Sequence, residues 1–203
     1  MSERSDVDLM LACAAGDEGA FRELVDRHSD SVVNLVTRYL GNRTDAEDLA
    51  QEVFLKVYRA RKRYEPTAKF STWLYRVAVN ACLNEVRNRK NRPTFGAASL
   101  HADASGPGPS LEDGAGRSPH EAAEASELHA RVRLAVDGLP ERQRLALLLN
   151  KFHGLGYEEL ASTLELSIPA VKSLLVRARE NVRLQLEPYL RNGADRHMRK
   201  DSA

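Results

Sequence analysis

The sequence predicts an all-α protein with two small helical domains, an N-terminal bundle and a C-terminal helix-turn-helix domain, joined by a flexible linker. Three observations predict it. Apolar residues recur at helical steps through two separate blocks, the first of them showing Phe21, Leu24, Val25 and then Val32, Val33, Leu35, Val36, Leu40. No alternating strand pattern, internal repeat or Gly-rich phosphate loop appears. Aromatics are sparse at 6% against 42% hydrophobic residues, so a core of Leu, Val and Ala suits helices better than a sandwich of strands.

The first block spans 17–92. Gly41 is placed to end its first helix, and Thr44 with Glu47 three residues later forms a capping-box pattern for the next, roughly Asp45 to Arg61. Pro66 stops continuation. Ser71 or Thr72 then caps the helix "FSTWLYRVAVNACLNEVRNRK", Phe70 to Lys90, which holds the chain's only tryptophan.

On that helix Arg76, Asn80, Asn84, Arg87 and Asn91 step by four, four, three and four, making one wholly polar face. Val79, Leu83 and Val86 line a second side. Trp73, Val77 and Ala81 line a third and are expected to anchor the helix in the bundle. Asparagine is a poor interior helix former, so two in register suggest selection for another purpose. Amides can read base edges and cations can neutralise phosphate. Taken by itself the pattern equally suits an amphipathic helix with its polar face in water. Tyr64, Phe70 and Trp73 lie beside Lys69 and Arg76, a mixture that can stack unpaired bases or can simply close the bundle.

Residues 93–118 change to Gly, Pro, Ser and Ala with scattered acids and no periodicity, and cannot bury enough apolar surface to offset their ordering entropy. Such a tether spans ~25–30 Å when fully flexible. Ser118 as N-cap, Pro119 at the first helical position and Glu121 at the third restart order.

The second block spans 119–190. "LPERQRLALLLNKF" places Leu145, Leu148, Leu149 and Phe152 on one side of a helix. "HGLGY" breaks it, "EELASTL" forms a short helix, "ELS" is a tight turn, and a longer helix follows from about Pro169. Short helix, tight turn, long helix is a helix-turn-helix pattern. Val171, Leu174, Leu175, Ala178, Val182 and Leu186 form the packing stripe of the long helix. Its opposite surface gathers Lys172, Ser173, Val176, Arg177, Arg179 and Arg183, with Glu180 the single acid between Lys172 and Arg183. A recognition helix needs such a face to approach phosphates and base edges, although a helical hairpin with a solvated basic face shares it. The tail 191–203, short and polar, reads as disordered.

Formal net charge is only +1, but its distribution is uneven. Residues 87–92 carry four cations and no anion, while 101–127 carry six carboxylates against one arginine. Local clusters govern nucleic-acid binding, so the near-neutral total does not exclude it. Two cysteines, Cys13 and Cys82, and six scattered histidines give no disulfide framework, zinc spacing or nucleophile–base pattern. No catalytic residue, metal or cofactor is expected. The N-terminus lacks a basic-then-apolar signal and no run approaches membrane length, so a reduced, cytoplasmic protein is expected.

These motifs together resemble the extracytoplasmic-function sigma factors, the smallest bacterial transcription initiation factors. "AFRELVDRHSDSVVNLVTRYLGNRTDAEDLAQEVFLKVYRA" resembles the start of their first conserved domain, and "FSTWLYRVAVNACLNEVRNRK" its promoter-contacting end. "LPERQRLALLLNKFHGLGYEELASTLELSIPAVKSLLVRARENVR" resembles their C-terminal helix-turn-helix domain. The resemblance implies that Asp48, Gln51, Glu52 and Leu55 dock on the clamp helices of the largest subunit of core RNA polymerase. These positions step by three or four along one side of a helix. It implies that Asn80 and Asn84 meet the start-proximal promoter element. Lys69, Phe70, Ser71, Thr72, Trp73, Arg76 and Arg87 belong to the same DNA-binding site, with Lys69 to Trp73 on the opened strand. Arg87, Arg89, Lys90 and Arg92 supply phosphate attraction. Lys172, Ser173, Val176, Arg177 and Arg179 face the distal promoter element.

The family's implied function is to bind core polymerase, direct promoter recognition and help open DNA, without an enzymatic role. Promoter DNA, both duplex and melted, and an anti-sigma factor are the implied partners, and the acidic tether resembles the segment that runs toward the RNA exit channel. The alternative is a stand-alone helix-turn-helix regulator binding duplex DNA without polymerase, which needs neither the "DAEDLAQEVFLKVYR" ridge nor the aromatic–cation stretch. One departure stands out. The family often has Gly where this chain has Glu165, and a turn requiring positive φ is strained with Glu.

Overall fold

The computed structural model describes residues 4–91 and 119–200, and among them the chain is helical without strands. By contacts the chain divides into two units, Met1–Gly106 with Leu148–Val171, and Pro107–Leu147 with Lys172–Ala203. The linker 93–118, with its acidic residues and Ser118, lies outside the described residues, as does Arg92.

The first unit begins earlier than the expected boundary at 17. Helix α1, Asp6–Ala14, is capped by Ser5, whose hydroxyl accepts the Asp8 N–H while the Asp8 carboxylate accepts the Ser5 N–H. Its Leu9, Met10 and Cys13 are fully enclosed. An ion-pair network ties it to α2, Glu18–Leu40: Arg27 Nη1 meets Asp6 at 3.0 Å and Arg4 O at 2.9 Å, Arg27 Nη2 meets Glu23 at 2.6 Å, and His28 Nε2 lies 2.8 Å from Asp6.

Helix α2 ends where Gly41 takes φ 77° and donates its N–H to Thr37 O, the left-handed stop for which glycine is suited. Helix α3, Arg43–Ala60, is capped by Asn42, whose Oδ1 accepts from Thr44 N and Asp45 N. The expected Thr44 cap is therefore corrected. Thr44 already lies inside the first turn, and Glu47 instead pairs with Arg43 at 2.9 Å. Leu49, Ala50, Val53, Phe54 and Val57 bury the inner side of α3 against α2 and against helix α4, Phe70–Asn91. A 3-10 turn, Arg61–Arg63, follows.

Helix α4, Phe70–Asn91, starts before Ser71 and Thr72, so neither is its cap. Its buried arc is wide, formed by Phe70, Thr72, Leu74, Tyr75, Ala78, Val79, Ala81 and Cys82. The expected anchor is corrected in part: Ala81 is buried, but Trp73 and Val77 are only half-buried. The reason is that α4 is covered from two directions. Helices α2 and α3 take one side, and the short helix α7, Tyr157–Leu164, packs on another within the same unit. With 100° per residue, Trp73 falls on the same outward face as Asn80, Asn84 and Arg87.

In the second unit, α5, Pro119–Asp137, turns at Gly138 toward the start of α6, Glu141–Phe152, whose residues from Leu148 on are counted with the first unit, and Arg144 pairs with Asp137 across that turn. Helix α8 runs Ile168–Lys200, into the segment from 191 for which no structure was expected. Val171, Leu175 and Ala178 are buried along it, while Leu174, Val182 and Leu186 of the expected stripe are half-buried. Asn181 donates to Gln143 at 2.8 Å. Phe152, read as sharing one side of its helix with Leu145, Leu148 and Leu149, belongs to the first unit, where it is 46% exposed with the Arg38 guanidinium 4.1 Å above its ring.

Candidate nucleic-acid interface

On α3, the buried positions Leu49, Val53 and Phe54 alternate with Asp48, Gln51, Glu52 and Leu55, all of which are exposed. Leu55 is 53% exposed, an apolar side chain set in an acid- and amide-bearing stripe. Glu52 reaches Lys56 at 3.9 Å, one turn on.

Helix α4 packs directly on α3. Its outward stripe presents Asn80, Asn84 and Arg87 to solvent, with Arg87 Nη1 3.5 Å from Asn84 Oδ1. Arg76 is half-buried at the edge of this stripe. Arg89, expected among the phosphate-attracting cations, turns back into the bundle. Its Nε donates to Glu85 at 2.7 Å and its Nη2 to Asp45 of α3 at 2.8 Å. Its charge is thereby neutralised locally and it serves to hold α3 to α4. Lys90 remains exposed.

At the N-terminal end of the stripe the aromatic residues form one cluster. Tyr64 and Trp73 meet edge to face at 5.1 Å, Phe70 lies 5.9 Å from Trp73 and 6.1 Å from Tyr64, and His28 tilts against Phe70 at 5.2 Å. Phe70 and Tyr64 are buried and close the bundle, whereas the half-buried Trp73 keeps part of its indole in reach of solvent. Ser71 is half-buried. Thr72 is only 4% exposed, and its carbonyl accepts from the Thr163 hydroxyl at 3.5 Å.

Lys69 is exposed but engaged, its Nζ donating to Glu159 Oε1 at 2.9 Å, while Glu159 Oε2 accepts the Gly156 N–H at the start of α7. The Lys69 pKa is raised by that hydrogen bond, and the Glu159 carboxyl is lowered by Lys69 first and the Gly156 amide second. Residues 69–73 therefore divide: Trp73 joins the amide stripe, Phe70 and Thr72 face the interior, and Lys69 meets α7.

Helix α7 is followed by a turn at Glu165 with φ 55° and ψ 49°, the one non-glycine residue of positive φ among the described residues. Its N–H reaches Ala161 O. The left-handed geometry here is the one that the Gly-to-Glu departure put in question, and the chain adopts it despite the Cβ. Ser167 Oγ then accepts the Ala170 N–H at 3.4 Å at the start of α8. On α8, Lys172, Ser173, Val176, Arg177 and Arg179 are all exposed, and Val176 is 64% exposed. Arg183, further along, is held by Glu180 at 2.8 Å.

Sequence reasoning missed α1 and the cations Arg59, Lys62 and Arg63 beyond the docking stripe, although the string "RARKR" was there to be read. Among the described residues no group of His, Cys, Asp and Glu could hold a metal ion, and no helix is long and apolar enough to cross a membrane.

Comparison with known proteins matches Sigma-70 region 2 over residues 24–92 and Sigma-70 region 4 over residues 129–182. The RNA polymerase sigma-H factor of Pseudomonas aeruginosa is 33% identical over 94% of this chain and 98% of its own length. The ECF RNA polymerase sigma-E factor of Escherichia coli is 34% identical over 94% of this chain and 100% of its own. Among solved structures, CnrH in complex with the cytosolic domain of CnrY shares the fold with TM-score 0.65 at 23% identity, covering 91% of this chain and 99% of that one. The sigma factor RpoE in complex with the anti-sigma factor NepR from Bartonella quintana gives TM-score 0.59 at 19% identity, over 82% of this chain and 96% of that one. With both regions present in order and relatives above 30% identity along nearly its whole length, the chain belongs to the extracytoplasmic-function sigma factors, non-enzymatic initiation factors that bind core RNA polymerase and promoter DNA.

Proposed function

We propose that promoter recognition by this sigma factor is divided among three outward helix faces. Asp48, Gln51, Glu52 and Leu55 on α3 dock on core polymerase. Asn80 and Asn84 on α4 read the start-proximal element, flanked by Arg76 and Arg87 on phosphate and by Trp73 against the opened strand. Lys69 adds a cation at that end, and Phe70, Ser71 and Thr72, in the first turn of α4 that follows it, complete the start-proximal site. Lys172, Ser173, Val176, Arg177 and Arg179 on α8 meet the distal element. The units of function are residues 17–92 and 119–190, the tether 93–118 joins them, and the protein works in the cytoplasm, where an anti-sigma factor restrains it.

The observation that carries this reading is the partition of α3 and α4. Leu55, apolar yet 53% exposed, sits within an acidic stripe that suits a protein partner, and the adjoining helix turns two amides in register outward. Polymerase performs the nucleotidyl transfer. The sigma factor supplies positioned donors, acceptors and cations. Base extrusion costs a few kcal/mol of stacking, which a partly exposed indole beside an aromatic cluster can offset in part.

Reconstitution tests the docking assignment. Purified protein with core polymerase is expected to direct transcription from a cognate promoter, with neither component active alone. Asp48→Lys with Glu52→Lys is expected to weaken core binding at least tenfold while the free protein keeps its fold. Unchanged core affinity in that variant removes α3 from the interface.

A further inference from the structure

Val176 on α8 is 64% exposed, more than any other large apolar side chain among the described residues. It lies in the third turn of the helix, within the part of a recognition helix that meets base edges. Val171, Leu175 and Ala178 bury one side of α8, and at 100° per residue Val176 falls near the middle of the opposite face. Lys172, Ser173, Arg179, Glu180 and Arg183, all exposed, lie within about 60° of its direction. Glu180, the one acid of that group, is held by Arg183 at 2.8 Å on the side away from the start of α8. A single branched apolar side chain is thus set among cations and a hydroxyl.

That isolation decides what the side chain suits. A protein partner needs several apolar groups together, but the other exposed large apolar residues of α8, Ile168 and Leu184, each lie eight positions away, about 12 Å along the axis. Helix formation does not call for valine either, because its branched Cβ makes it a poorer helix former than Ala, Lys or Arg. In the major groove of unmodified DNA, the 5-methyl of thymine is the one methyl group on a base edge, and small apolar side chains are what meet it. We infer that Val176 reads a thymine of the distal promoter element through that methyl group, adding a preference for thymine that the surrounding cations cannot supply. The inference rests on the reading of α8 as the helix that meets the distal element, and it names a base contact which that reading leaves open. Lys172 and Arg179, on one side of Val176, hold phosphate and so keep the valine over the base edge.

The test uses the holoenzyme, this chain with core polymerase, on cognate promoter fragments in which each thymine of the distal element is replaced in turn by deoxyuridine. Deoxyuridine keeps the O4 acceptor and the pairing with adenine and removes only the 5-methyl group. Equilibrium competition at fixed salt reads the affinity. At one position the wild-type affinity should fall about threefold to fivefold, the loss that one buried methyl implies. Val176→Ala should bind the thymine and deoxyuridine fragments equally, close to the wild-type affinity for deoxyuridine. Lys172→Gln should weaken binding to both fragments alike and keep their ratio. Absence of any methyl-sensitive position in wild type overturns the inference. So does a sensitivity that survives Val176→Ala, which assigns the effect to duplex shape or to another side chain. If Lys172→Gln weakens binding while no thymine is methyl-sensitive, the reading of α8 stands and only the valine contact is removed. If Lys172→Gln also leaves binding unchanged, the reading of α8 falls with it.

Discussion

Lys69 and Glu159 form an ion pair of 2.9 Å that fastens the turn before α4 to the first helix of the helix-turn-helix. The carboxylate is held in place by the Gly156 amide at 3.0 Å, so it stands ready-made at the ammonium group. A phosphate approaching Lys69 must displace it. Glu159→Gln is therefore expected to strengthen binding of the free protein to single-stranded DNA by roughly two- to fivefold, the range that exposed pairs of this kind permit. Lys69→Gln should abolish that gain. Fluorescence anisotropy at low salt measures both, and equal affinity in wild type and Glu159→Gln would show that the pair does not compete with DNA.

Glu165 occupies left-handed backbone at φ 55° between α7 and α8. Relief of its Cβ strain outweighs the extra unfolded-state freedom of glycine, so Glu165→Gly should stabilise the protein by about 0.5–1 kcal/mol. Chemical denaturation with an unchanged slope checks it. Destabilisation by the same amount would mean that the carboxylate makes a contact worth more than the strain.

His153 provides a pH dependence. Its Nδ1 lies 3.0 Å from the Tyr75 hydroxyl, its ring meets Tyr75 edge to face at 5.1 Å, and burial, with a smaller effect of the Arg38 charge, lowers its pKa from 6.5 to about 4. The folded state favours the neutral ring, so this contribution is fully present above the unfolded pKa of 6.5 and is lost as pH falls toward 4. Wild-type melting temperature should drop between about pH 7 and pH 5 by more than that of His153→Gln. Parallel pH profiles for the two proteins would remove His153 as the cause.

Much of this architecture was legible because it is local. Gly41, the run of apolar steps in α2 and α3, and the short-helix, turn, long-helix pattern around Glu165 all act within a few residues. What was not legible depends on distant partners. Trp73 looked like the anchor of α4 because it is the largest apolar side chain there, yet the buried arc centres on Leu74, Ala78 and Cys82 once α7, some eighty residues on, covers the other side. Arg89 looked like a phosphate ligand within a basic run, and only the fold shows Asp45 reaching it across the bundle. Helix α1 lay before the expected boundary, its three buried residues being too few to show a periodicity. The outward stripe of Asn80, Asn84 and Arg87 needed only helical spacing and was read correctly as a face.

Base reading by that stripe is measured by transcription with reconstituted polymerase on a cognate promoter and on versions mutated in the start-proximal element. With wild-type protein, element mutations should lower initiation by about tenfold or more, as loss of one or two amide–base contacts implies. With Asn80→Ala and Asn84→Ala combined, the original and mutated promoters should give nearly equal, reduced initiation while core affinity is retained. Undiminished discrimination in the double variant would show that Asn80 and Asn84 do not read the element.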